Sequence, residues 1–99
     1  RRYLEFVRQH PCVSCGTVEN IHAHHEGGER GAGQKAHDYY AVPLCWRDHS
    51  QWHSHRTLLG LPGLSAQGCE LLLARAQVRM LIEYFTTQQE EEPTESGTD

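Results

Sequence analysis

Apolar and polar positions change period several times along this chain, and each change marks an element. Residues 1–9 (RRYLEFVRQ) carry Tyr3, Leu4, Phe6 and Val7, which predicts a short helix stopped by Pro11. HPCVSCG follows, a tight two-cysteine knuckle in which Gly16 permits a left-handed backbone. NIHAHHE (20–26) alternates enough to be a strand, and DYYAVPL (38–44), rich in aromatic and branched residues, predicts a second. GGERGAGQK separates the two as a glycine-rich loop. From Cys45 onward, WRDHSQWHSHRTLL reads as a helix, and GLPGLS (60–65) breaks it. Residues 66–88 then place Leu71, Leu72, Ala74, Val78, Leu81, Ile82 and Phe85 at helical spacing, which predicts a long amphipathic helix covering the rest.

These elements form one small α+β domain, 1–88, with its core in 10–57 and its covering helix at 66–88. Residues 89–99 are expected to be a disordered acidic tail. Ninety-nine residues at 37% hydrophobic content give a thin core, the situation in which small folds use a metal or a disulfide as a staple. No leader-like N-terminus and no long apolar run is present, so the expected setting is the cytoplasm, away from any membrane, with a metal as the staple. The chain starts at Arg1, which suggests a processed or excised piece.

Charge adds a modest hint about partners. The formal net charge is −4, but Glu90–Asp99 holds five acidic and no basic residues. The remainder has nine basic and eight acidic residues, with Arg30, Lys35, Arg47 and Arg56 near the histidines in sequence. This is a weak footprint for a nucleic acid and does not contradict one.

Cysteine and histidine spacing carries the chemistry. Cys12 and Cys15 form a C-x2-C pair, and Cys45 opens a second pair whose closing position is Asp48. Three thiolates and a carboxylate make a four-ligand set for a structural Zn2+, with His49 or His22 as alternatives for the fourth place. Cys69, far away in sequence, reads as a small buried apolar residue.

His49 and His53 are four apart and share a helix face. His24 and His25 are neighbours on a strand, so they point to opposite faces and divide their labour. One can join His49 and His53 around a divalent ion, while the other stays free to take a proton near neutral pH.

The spacing resembles that of the HNH (His-Me finger, ββα-metal) endonucleases. From His25, fourteen intervening residues lead to Tyr40, eight more to His49 and three more to His53; an asparagine stands in the family where Tyr40 stands here. Leu44-Cys45 matches the start of the family's second zinc knuckle, with Asp48 as the departure. Within the family, the run AHH…G…G…GxKAHDYYAVPLC…H…H is similar to phage nucleases of the recombination-enhancement (Ref) type and their prophage relatives, over about residues 5–55.

The resemblance implies a zinc-stapled ββα-metal, treble-clef-like finger that hydrolyses DNA phosphodiester bonds in recombination or DNA processing. His24, His49 and His53 would hold the catalytic ion, Mg2+ or another divalent cation, with His25 as the general base. Arg30, Lys35, Arg47 and Arg56 would meet DNA phosphates, and the helix bearing the last two histidines would lie in the minor groove. Because Tyr40 cannot copy an amide, a backbone carbonyl, His37 or Asp38 would hold His25. A recombination protein is the implied further partner. The alternative is a zinc-stapled DNA-binding or protein-interaction module without nuclease chemistry.

Overall fold

Tyr3 and Val7, one helical turn apart, are buried on the inner face of α1 (Arg2–Arg8), the first element of the computed structural model. The structure describes residues 2–26 and 37–91. After α1 come β1 (Ile21–His25), β2 (Ala41–Cys45), α2 (Trp46–His55) and α3 (Ala66–Glu91), a small α+β fold in which β1 and β2 form a two-stranded antiparallel sheet. Asp38–Tyr40 form a single 3-10 turn leading into β2.

Two boundaries differ from the sequence expectation for local reasons. Asp38–Tyr40 were expected within the second strand, but the His37 side chain accepts a hydrogen bond from the Tyr39 amide and the Tyr40 amide bonds to the His37 carbonyl, which closes a turn instead. The helix after Cys45 was expected to run on through Leu59. It stops at His55 because Arg56 adopts a left-handed conformation (φ 56°) and its amide caps back onto the Trp52 carbonyl.

The pairing register decides which side chains share a face. His24 lies opposite Val42 and His22 opposite Leu44, whereas His25 pairs with Ala41 and Ala23 with Pro43. Side chains alternate along a strand, so His22, His24, Val42 and Leu44 share one face, and Ala23, His25, Ala41 and Pro43 the other. Val42 and Leu44 pack with Trp52, Leu58, Cys69, Leu73 and Ala76 from α2, α3 and the loop between them. Ala41 packs with Tyr3, Val7 and Met80. Every residue of β2 is buried, so this strand is the floor that both layers use.

α3 turns a different face inward from the one its leucine-rich pattern suggested. Cys69, Leu73, Ala76 and Met80 are buried, Leu72 and Leu81 are half-buried, and Leu71, Val78, Ile82 and Phe85 are exposed. Two apolar stripes run along this helix, and only one meets the sheet. α3 also continues to Glu91, past the expected boundary at residue 88, while the expected tail over 92–99 lies outside the described residues.

Candidate metal centres

The first centre is built where the chain reverses at the knuckle. Gly16, at φ 81°, lets its amide reach back to the Cys12 carbonyl at 2.9 Å, and the Cys12 amide bonds to the Thr17 carbonyl at 2.9 Å. The Ser14 and Cys15 amides point at Cys12 Sγ, at 3.3 and 3.5 Å. Cys45 ends β2 and starts α2, and Asp48 sits on the first turn of that helix, almost fully buried. One ligand atom from each of Cys12, Cys15, Cys45 and Asp48 lies within 4.8 Å of all the others, a set able to hold a metal ion.

Asp48 divides its oxygens between the centre and the frame. Oδ2 accepts from Cys45 Sγ at 3.2 Å and Cys12 Sγ at 3.5 Å. Oδ1 accepts from Ser14 Oγ at 2.8 Å and the Leu59 amide at 2.7 Å. Burial pushes the Asp48 carboxyl up, but the bonds from Ser14, Cys45 and Leu59 outweigh it and hold it below the usual carboxylate range. Burial pushes the Cys12 thiol up, and the Cys45 thiol up to about 12. Thiols so placed lose their protons to a soft cation, which replaces the solvation they lack. Of the fourth-ligand candidates, Asp48 joins the thiols; His49 and His22 face each other instead, Nδ1 to Nδ1 at 2.9 Å. Cys69 is buried in the core away from this set.

The second centre forms between β1 and α2. His24, buried on the strand face that looks at α2, meets His49 and His53, one helical turn apart on that helix. Ligand nitrogens of these three residues lie within 4.8 Å of one another, and the group grades from buried His24 through half-buried His49 to exposed His53. The rings pack edge to face, with centroids 4.9 Å apart for His24 and His49 and 5.1 Å for His24 and His53. Burial first, and then the neighbouring His24, His53 and His22 rings, lower the His49 pKa to about 4. A neutral imidazole is the form that ligates.

His25 is held apart from this group. Its Nε2 lies 3.0 Å from Asp38 Oδ1, and its side chain is half-buried. The hydrogen bond from His25 is the chief reason Asp38 sits below the usual carboxylate range. Of the supports suggested for His25, Asp38 is therefore in contact, while His37 caps the 3-10 turn and Tyr40 takes part through its backbone.

Among the four basic residues singled out, Arg47 is exposed, with its guanidinium 5.7 Å from the Trp46 ring centre. Arg56 is engaged: it lies 3.9 Å over the Trp52 ring, bonds Glu70 at 3.1 Å and stands 3.8 Å from Glu26. Arg30 and Lys35 lie outside the described residues.

Several contacts were not anticipated. Glu26 accepts from His24 and from Trp52; Ser14 braces Asp48; the Gln77 side-chain amide donates to the Glu26 and Tyr40 carbonyls, tying α3 to the two strands where β1 ends and β2 begins. Glu26 alone had a readable signal, because it stands two residues after His24 and so falls on the same strand side. Ser14 and Gln77 had none, since their partners are 34 and 51 residues away or are backbone atoms.

Residues 1–58 match a family model described as "Protein of unknown function (DUF968)". The chain belongs to that family. The matched stretch holds every residue of both centres, whereas α3 lies beyond it. Over 54 residues the chain is also 37% identical to a protein of Escherichia coli (strain K12) called "Uncharacterized protein YdfU", covering 54% of this chain and 16% of that protein. The chain thus spans a small part of that relative's length. No solved structure matches it. No helix among the described residues of this DUF968 chain is long and apolar enough to cross a membrane.

Proposed function

We propose that this chain is a metal-dependent DNA endonuclease of the HNH class, with the ββα-metal finger formed by β1, β2 and α2. The observation that carries the reading is the convergence of His24, His49 and His53, with an exposed side at His53, while the imidazole of the adjacent residue, His25, is excluded from the set and held by a carboxylate. Cys12, Cys15, Cys45 and Asp48 would hold a structural zinc that anchors the start of α2. The histidines would hold Mg2+ or another divalent ion, which supplies charge stabilisation at a phosphate.

His25 accepts the proton of the attacking water as that oxygen bonds to phosphorus; the P–O bond opposite breaks, and solvent protonates the departing oxygen. Asp38 keeps the His25 ring in one orientation and stabilises the imidazolium that forms, because a carboxylate accepts from the ring and attracts its charge. Exposed Arg47 and Trp46 at the start of α2 offer a cation and an aromatic face to the nucleic acid, and Arg30 and Lys35 are proposed to reach phosphates. Arg56 is better placed as a brace than as a phosphate ligand, since Glu70, Glu26 and the Trp52 ring already take up its guanidinium.

One contact favours a second reading. His22 touches His49 at 2.9 Å without joining the three-histidine set, and so extended a cluster of imidazoles also suits a structural centre, as in a zinc-stapled DNA-binding or protein-interaction module. Nicking of supercoiled plasmid with magnesium or manganese separates the two. The nuclease reading expects nicks from the wild type and a loss of about 10²–10⁴-fold in His25→Ala; a wild type inert with every divalent ion establishes the module instead.

A further inference from the structure

Glu26 stands at the end of β1, two residues after His24, and its side chain is only 14% exposed. Its Oε1 lies 2.7 Å from His24 Nε2 and 2.8 Å from Trp52 Nε1. Its Oε2 faces the Arg56 guanidinium at 3.8 Å, and Arg56 in turn bonds Glu70 of α3 at 3.1 Å. The indole nitrogen can only donate, and an ionised carboxylate can only accept. The hydrogen between His24 and Glu26 therefore resides on His24 Nε2.

With Nε2 occupied by Glu26, the lone pair of His24 that remains for a cation is on Nδ1. The ring cannot turn over without breaking a short charge-assisted bond inside the core. Glu26 is absent from the converging ligand set, so it is not itself placed to coordinate.

We propose that Glu26 is the positioning residue of the histidine centre: it fixes His24 in the Nε2–H tautomer with Nδ1 aimed at the ion, and raises the basicity of that nitrogen. Trp52 and Arg56 are its supports, one by donating to the same oxygen and the other by compensating the charge. Through Arg56 and Glu70, the orientation of a ligand on β1 is tied to the covering helix. The inference rests on the metal-centre part of the function proposed above, and neither of its readouts involves cleavage.

The test uses the full chain with zinc in the thiolate centre. Long-range nitrogen–proton correlation spectra of the imidazoles should show His24 as the Nε2–H tautomer in the wild type and in Glu26→Gln, which keeps an acceptor oxygen, and as a tautomer mixture in Glu26→Leu. Cobalt titration of the histidine centre should weaken about 10- to 100-fold in Glu26→Leu, with a smaller loss in Glu26→Gln. Retained thiolate-to-cobalt absorption from a parallel sample loaded at the cysteine centre confirms that each variant is folded. A wild-type His24 carrying its proton on Nδ1, or an unchanged cobalt affinity in folded Glu26→Leu, overturns the proposal. A wild type that binds cobalt at the histidines yet nicks no DNA removes the nuclease reading and leaves this one standing.

Discussion

Asp48 shows how one residue can serve a metal centre and the chain around it. One oxygen faces two thiols, and the other is held by the Ser14 hydroxyl and the Leu59 amide. An asparagine would keep the shape and lose the charge that offsets a dication, so Asp48→Asn should weaken zinc binding about 10- to 100-fold in competition with a chelator dye, and Ser14→Ala should lower it by less. An affinity of Asp48→Asn equal to that of the wild type would mean that the carboxylate is not a ligand. His49 makes a pH prediction. Burial and the surrounding imidazoles hold it to about 4, against an ordinary value of 6.5. In a chain with zinc at the thiolates and no ion at the histidines, the unfolded state takes up this proton near pH 6.5 and the folded state only near 4. Stability from His49 is therefore complete above pH 6.5 and falls as the pH drops toward 4. Urea midpoints at pH 7 and pH 5 should differ more in the wild type than in His49→Ala; identical differences would refute the shift.

At the level of elements, the loop after α2 is pinned to the knuckle and to the start of α2 through the Leu59 and Gly60 amides. The Gly60 amide bonds Ser14 Oγ at 3.0 Å, and a side chain on Gly60 would overlap the Ser14 carbonyl. Gly60→Ala should thus cost about 1–3 kcal/mol, the usual range for forcing backbone apart in a packed region, read as a lower melting temperature of the zinc-loaded chain. A melting temperature within error of the wild type would show that the two loops separate at no cost. α2 itself carries three duties on three faces: Asp48 and Trp52 turn to the core, His49 and His53 to β1, and Trp46 and Arg47 to solvent. A ten-residue helix in water is marginal, so its stability comes from these attachments and not from its polar composition.

For the whole molecule, the question is what holds so few apolar residues together. Among the described residues the buried set is 13 hydrophobic residues, two of them Cys12 and Cys45 of the candidate cysteine centre, and four more, Cys69, Leu73, Ala76 and Met80, come from α3. Chelation of a metal at the thiolates should collapse the dispersed amide spectrum, because two buried thiols, an exposed one and a buried carboxylate would be left without the charge that joins them; an unchanged melting curve in strong chelator would count against the centre. A chain ending at residue 65 should fail to fold even with zinc, since β2 loses the cover over Val42 and Leu44, although the truncated piece contains both centres and the whole family match.

What could be read from the sequence was local and periodic. The four-residue step between His49 and His53, the alternation of His24 and His25, and the C-x2 intervals at Cys12 and Cys45 each carried directional information, and all of these residues except His25, which the alternation sets apart, converge. Cys45 could be placed at a helix start for the same reason. The inner face of α3 could not be chosen, because Leu71, Val78, Ile82 and Phe85 repeat as regularly as Cys69, Leu73, Ala76 and Met80. Which stripe is buried depends on the surface offered by α1 and β2, and no period within the helix contains that information. Likewise, Glu26 on His24, Ser14 on Asp48 and Gln77 across the hairpin are contacts between distant segments. Periodicity along the chain specifies directions of side chains; only the packing of one element on another decides which directions meet.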